Sequence, residues 1–250
     1  MSDTSMIIGA SAGVGRALAR ALAMRGHNLL LIARDRQDLE AIAQDFRIRY
    51  GVQIWILPTD IASDDFSASS FGDLVEYTTR SVQHVMVAVG GSSQDDVGVP
   101  SEDVRDELMT INFTQVAQIL NLACERAETW NLKTLMVCSN IVAHLPHNRQ
   151  IAYATAKSAL ETYTLGLRHV MANTRVRVQV YVLGHVESAF SFVRDSFFPK
   201  ALPIEVAYVM AQNLGKDKGR VFLPRYWRLI LFFLRLTPWS IFRRVSFSKI

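Results

Sequence analysis

Six largely apolar runs of strand length recur along this chain, and all but the start of the last lack alternation of apolar with polar residues. They are Met6–Ile8, Asn28–Ala33, Val52–Leu57, His84–Val89, Leu132–Cys138 and Val176–Leu183. A strand that is apolar on both faces must be covered on both sides, which is the condition of a parallel sheet layered between helices. The intervening stretches supply the helices: Val14–Arg25, a charged amphipathic Arg36–Tyr50, a weaker Asp65–Ser81, Ser101–Thr129 as one or two helices, and Ala152–Ala172. Strand and helix in alternation predict an α/β fold with a doubly wound parallel sheet. No repeat or low-complexity linker divides the 250 residues. One domain over residues 1–224 is expected, with a lid at about 185–203 and a tail over 225–250.

Composition removes several function classes. Half of the residues are hydrophobic and a fifth charged, enough for a large core and too apolar for disorder. Two cysteines, Cys124 and Cys138, cannot staple a secreted scaffold, and the six histidines show no metal-ligand spacing. No metal site is expected. The net charge of +4 conceals an asymmetry. From Lys218 onward there are eight basic residues and no acidic one, which leaves 19 basic against 23 acidic residues before it. The positive charge therefore belongs to the tail, and nucleic-acid binding by the domain is not expected. The opening Met1-Ser2-Asp3 runs straight into a strand, so no signal peptide is expected, and Arg228 and Arg235 interrupt the longest apolar run. A cytoplasmic location is expected, with membrane association only through the tail.

The segment Gly9-Ala10-Ser11-Ala12-Gly13-Val14-Gly15 joins the first strand to the first helix. Glycine there lets the backbone turn sharply and lets a pyrophosphate approach the N–H groups of the helix start. The second strand ends Ile32-Ala33-Arg34. An acidic residue at that end would hold a ribose 2′-hydroxyl, whereas a cation suits a 2′-phosphate, so Arg34 favours NADP(H) over NAD(H). The plainer alternative is a solvated arginine at a helix start. Asp60, followed by Ile61 after the third strand, is placed to accept from an adenine amino group, or is an ordinary loop cap.

Tyr153-Ala154-Thr155-Ala156-Lys157 opens a helix, and residues i and i+4 share one face. An ammonium beside a phenol stabilises the phenolate and draws its pKa down from ~10 toward neutrality. Tyr153 would then give a proton to a carbonyl or take one from an alcohol.

Taken together, GASAGVG at 9–15, Asp60, Asn112 in INFT, YATAK at 153–157 and LGHVES at 183–188 resemble the short-chain dehydrogenase/reductase family in order and separation. The resemblance runs from about Ser5 to Ser188. It implies a Rossmann-type fold and hydride transfer between nicotinamide and a substrate carbonyl. It also implies Tyr153 as acid/base and Lys157 on the nicotinamide ribose. Asn112 would hold a helix kink and a relay water. Cofactor contacts would come from Gly9, Ser11, Ala12, Gly13, Val14, Gly15, Arg34, Asp60, Ile61, Gly90, Gly91, Tyr153, Lys157, Gly184 and Val186. Homodimers and homotetramers are the family's common assemblies.

The chain departs from the family pattern in three places. The family's carbonyl-polarising serine falls at Asn140, preceded by Ser139. Adjacent strand residues face opposite sides, so a regular strand turns Ser139 away, and the Asn140 amide would donate instead. An irregular strand end would bring Ser139 in. The asparagine-rich turn of the family is Ala88-Val89-Gly90-Gly91 here, and its proline-glycine pair is Leu183-Gly184.

Phe190, Phe192, Val193, Phe197 and Phe198 occupy the stretch that covers substrate in the family, which suggests an apolar substrate, lipid or steroid-like. Their alternative is packing of a short helix onto the core. The tail reads YWRLILFFLRLTPWSIF from Tyr226 to Phe242, with Arg228 and Arg235 on one helical face and Pro238 breaking the helix. It needs an apolar sink: an anionic membrane interface, which its cationic flanks and tryptophans favour, a partner subunit, or its own core. Two functions compete: an NADP(H)-dependent reductase or dehydrogenase of an apolar carbonyl or alcohol, and a non-catalytic NADP-binding scaffold. A ketoreductase docking an acidic carrier protein fits less well, because the basic residues lie in the apolar tail.

Overall fold

The computed structural model describes residues 2–79, 81–145, 148–187 and 199–243. Seven strands form one parallel sheet in the order β3-β2-β1-β4-β5-β6-β7. They are β1 Thr4–Ile8, β2 Asn28–Ala33, β3 Ile54–Pro58, β4 His84–Val87, β5 Thr134–Asn140, β6 Arg177–Leu183 and β7 Arg220–Leu223. The helices are α1 Gly13–Ala23, α2 Arg36–Tyr50, α3 Ala68–Thr78, α4 Glu102–Met109, α5 Gln115–Glu125, α6 Ile151–Val170, α7 Pro203–Gln212, α8 Trp227–Leu236 and α9 Trp239–Phe242. The doubly wound α/β fold expected from the apolar runs is the fold observed. Strand order reverses between β1 and β4, which opens a crevice at the carboxyl ends of the strands.

The absence of alternation in the strands has its explanation in the two layers. Along β1, Ile7 packs with α1, α2 and α7 on one face, while Met6 and Ile8 pack with α3, α5 and α6 on the other. All three side chains are essentially buried, as are Leu29 to Ile32 of β2. Local chemistry sets the helix ends. Asp35 caps α2 by accepting from the Asp38 N–H at 3.0 Å, and Gly51 at φ +65° ends it.

Three features depart from the expected outline. First, α7 follows β6 and leads to β7, which extends the sheet beyond the sixth strand. Second, the stretch Glu102–Glu125 is not simply one or two helices. A π-helical turn, Thr110–Thr114, separates α4 from α5, with Asn112 at its centre. Third, the tail is half in the core. Pro238 does break it, between α8 and α9. Trp227 and Leu231 of α8 are buried with Ile141, Leu145, Val180 and Val182, and Ile230 and Leu234 pack against the same cluster.

Candidate active site

The glycine turn leads β1 into α1. A Cβ on Gly15 would lie 2.0 Å from the Gly9 carbonyl oxygen, so only glycine lets the helix start sit on the turn. Gly13 adopts φ +51°, and a Cβ there would meet nothing within 4 Å. No side chain caps the N–H groups in the first turn of α1, and no acidic residue of that turn competes for them. That cradle, formed by Gly9, Ser11, Ala12, Gly13, Val14 and Gly15, fits a dinucleotide pyrophosphate.

Around the turn the other expected contacts divide. Arg34 is the first residue past β2 and is exposed. Asp60 is exposed, and its Oδ1 accepts from the Ala62 N–H at 3.0 Å, closing its own loop. The Ile61 side chain is buried in the core, which leaves only its main chain for a ligand.

Beyond β4, one knot of hydrogen bonds joins the loop, the π-helical turn and α6. Both Asn112 amide protons are spent on main-chain oxygens, Gly91 at 2.9 Å and Leu108 at 2.9 Å, and its Oδ1 accepts from Gly91 N–H at 3.2 Å. Asn112 thus holds the kink to the loop after β4, and neither amide proton is left for a relay water. Lys157 donates from Nζ to the Val89 oxygen at 3.0 Å. Gly90 sits against both groups: a Cβ there would be 3.3 Å from Asn112 Oδ1 and 3.3 Å from Lys157 Nζ.

Tyr153 stands in the first turn of α6, and a residue that the sequence did not single out holds that turn. Gln150 precedes the helix in the left-handed region, at φ +59°, with no side-chain cap of its own. Asp96 reaches in from the loop before α4. Its Oδ1 accepts from Ala152 N–H at 3.1 Å and its Oδ2 from Tyr153 N–H at 2.9 Å, while its carbonyl accepts from Gln150 N–H at 2.6 Å. Asp96 is 1% exposed.

The two residues at the end of β5 face different partners. Ser139 donates to Glu161 Oε1 at 2.7 Å and is buried. Asn140 is the side chain that draws the Tyr153 phenol toward its ionised form. Its Oδ1 already accepts from Val142 N–H at 3.0 Å, so the amide N–H₂ is the group left for the phenol oxygen. The strand therefore stays regular to its end, and the structure does not bring Ser139 to the Tyr153 side.

The charge balance of the pair corrects one expectation. Burial pushes the Tyr153 phenol up to about 12, against the pull of the Asn140 side chain. Lys157 lies 5.7 Å from the centre of the Tyr153 ring and is committed to the Val89 oxygen. In the chain alone desolvation is the largest influence on the phenol, and it raises the pKa. Burial also pushes Lys157 down to about 8, opposed by Cys138 and Glu161.

After β6, Gly184 lies under the tail: a Cβ there would fall 2.0 Å from Trp227 Nε1. The ring of His185 is 5.5 Å from that indole, and Val186 bridges to Ala201. Ser188 and the five residues proposed to cover substrate lie outside the described residues. Among the described residues no group of three histidine, cysteine or acidic side chains is arranged for a metal ion. Nor is any helix there long and apolar enough to cross a membrane.

Comparisons with known proteins bear on this arrangement. A family model described as short chain dehydrogenase matches residues 3–195. The chain is 23% identical to a very-long-chain 3-oxoacyl-CoA reductase of Vanderwaltozyma polyspora, over 92% of this chain and 70% of that one. Four further reductases of that description match at 24 to 26% identity, and the chain spans 64 to 68% of their length. Among solved structures, a short-chain dehydrogenase from Sphingobium yanoikuyae in complex with NADPH superposes with a TM-score of 0.79 at 19% identity, covering 99% of this chain and 98% of that one. A 3-oxoacyl-[acyl-carrier protein] reductase from Brucella melitensis in complex with NAD gives 0.82 at 14% identity, covering 92% and 98%. Both dinucleotides thus occur among proteins of this fold.

Proposed function

The chain belongs to the short-chain dehydrogenase family, and from that membership we propose that it is an NADP(H)-dependent reductase of an apolar ketone or aldehyde. The observation that carries this reading is the buried Tyr153 phenol with Lys157 one turn further along the same helix, its Nζ 5.7 Å from the phenol ring centre. The N–H groups of residues 11–15 would hold the cofactor's phosphates. Arg34 would meet the 2′-phosphate, with Asp60 and the Ile61 main chain toward the adenine. Lys157, Gly90, Gly91, Gly184 and Val186 would line the nicotinamide half. When bound, the cofactor supplies the hydride that forms the new C–H bond at the carbonyl carbon.

The residues of the chain then manage the oxygen. The Asn140 N–H₂ donates to the carbonyl oxygen as negative charge develops there. Tyr153 transfers its phenolic proton to that oxygen, and the alcohol forms. The phenolate left behind is stabilised by Asn140 and by the charge of Lys157. Burial keeps the phenol protonated at neutral pH, which suits the reducing direction. Alcohol oxidation would require the phenol to ionise first, and burial opposes that.

An apolar substrate agrees with the phenylalanine-rich stretch after Gly184 and with the very-long-chain acyl description of the relatives. The proposed assembly is a homodimer or homotetramer in the cytoplasm, with the tail open to a membrane surface. A second reading, a non-catalytic NADP-binding protein, draws on Asn140 standing where the family has serine and on the loss of both asparagines after β4.

The deciding experiment follows NADPH consumption against a panel of apolar ketones, aldehydes and 3-oxoacyl thioesters. The expected result is turnover with at least one of them, abolished in Tyr153→Phe while NADPH binding persists. Binding without consumption across the panel favours the scaffold, and turnover that survives in Tyr153→Phe overturns the mechanism.

A further inference from the structure

Helix α8 carries two apolar stripes. Trp227, Ile230, Leu231 and Leu234, spaced i, i+3, i+4, i+7, face the core. Leu229, Phe232, Phe233 and Leu236 have the same spacing and lie on the opposite side of the helix, each more than half exposed. Trp239 and Ile241 of α9, just beyond Pro238, are also more than half exposed. Helices on a protein surface ordinarily turn charged residues outward, so a second apolar stripe requires an occupant.

The charges around the stripe indicate which occupant. Arg225, Arg228 and Arg243 are exposed beside it. Arg235 is pinned through Nη2 to His144 Nδ1 at 2.7 Å, which fixes the flank of the helix. No acidic residue occurs from Lys218 to the end of the chain. A second copy meeting this face about a twofold axis would set arginine against arginine. A lipid surface with anionic headgroups offers hydrocarbon to the stripe and phosphate or carboxylate to its rim. We propose that the outer face of α8 and α9 docks on an anionic membrane surface, lying in the interface with its axis in the membrane plane. Insertion is by Leu229, Phe232, Phe233, Leu236, Trp239 and Ile241, with the arginines at headgroup level. The proposal is independent of the catalytic reading.

Truncating the tail is a poor test, because Trp227 and Leu231 belong to the core. The informative variant is Phe232→Ser/Phe233→Ser/Trp239→Ser, which changes exposed side chains alone. The full chain is sedimented with vesicles of phosphatidylcholine, or of phosphatidylcholine with about a third phosphatidylserine. Its subunit number is measured by light scattering. The expected result is pelleting with anionic vesicles, lost in high salt and lost in the triple variant, with melting temperature and subunit number unchanged. Pelleting equal on neutral vesicles overturns the role of the arginines and the proposal with it. So does failure to pellet at all. A triple variant that loses a subunit contact instead assigns the face to a second copy. NADPH turnover on a water-soluble ketone should be the same in both proteins, so failure here is separable from failure of the catalytic reading.

Discussion

Ser139 donates its hydroxyl proton to the Glu161 carboxylate across 2.7 Å, inside the protein and away from the phenol of Tyr153. Glu161 is 2% exposed and also lies near His144 and Arg220, at 3.1 and 3.4 Å. The neighbouring residue, Asn140, takes the position beside Tyr153. One step along β5 therefore separates a structural hydroxyl from a group able to polarise substrate.

That separation gives opposite phenotypes for two alanine variants. Asn140→Ala should lower kcat ~10²–10³-fold, the usual loss of one oxyanion donor. Ser139→Ala should keep turnover and lose about 1–3 kcal/mol in denaturant unfolding, because a buried carboxylate loses a donor. The reverse pattern would return the polarising role to Ser139.

The pH profile should report Lys157. Its ammonium, held down to about 8, is charged below that pH and neutral above it. Tyr153 and Cys138 are pushed up to about 12, so neither titrates near 8. Reductase kcat/KM should fall as pH rises through about 8, because the positive charge beside the phenolate disappears. In Lys157→Arg the alkaline limb should move upward, since guanidinium stays charged. A flat wild-type profile across that range would remove Lys157 from the role.

Asp96 should matter to turnover beyond its effect on stability. It caps α6 through the N–H groups of Ala152 and Tyr153. Asp96→Ala should cost ~1–2 kcal/mol, the scale of a lost N-cap. It should also reduce kcat with little change in NADPH affinity, because the helix start that aims Tyr153 loosens. Asp96→Asn, which keeps one acceptor, should recover part of kcat. Equal kcat in all three proteins would leave Asp96 a cap and nothing more.

Cofactor choice is read by melting temperature at matched dinucleotide concentration. NADPH should raise it more than NADH in the wild type, and Arg34→Asp should reverse the order. At about a hundredfold excess over Kd the stabilisation is ~2.7 kcal/mol, large enough to resolve. Equal shifts in the wild type would discard Arg34 as the selector.

The layers of the fold were legible because each depends on local pattern. After its first residue, Asn28–Ala33 is apolar throughout, and β2 spans those same residues. Strand β7 was not legible, since four residues that begin with an exposed arginine carry no periodic signal. The π-helical turn was hidden for a different reason: it is held by Asn112 reaching Gly91, a contact between segments distant in sequence. Asp96 lies in a loop 57 residues before Tyr153, and nothing local marks it as the cap of α6. In the sequence the tail is an apolar run interrupted by Arg228 and Arg235. Only tertiary packing divides that run into an inner stripe and an outer one.

The indole of Trp227 rests where a methyl group on Gly184 would stand. These two positions cannot vary independently. Any side chain introduced at 184 evicts the indole and lifts α8, so a change there should be tolerated only in descendants that have already shed or rebuilt the tail. The history of the extension is thus tied to a single missing carbon at the rim of the sheet.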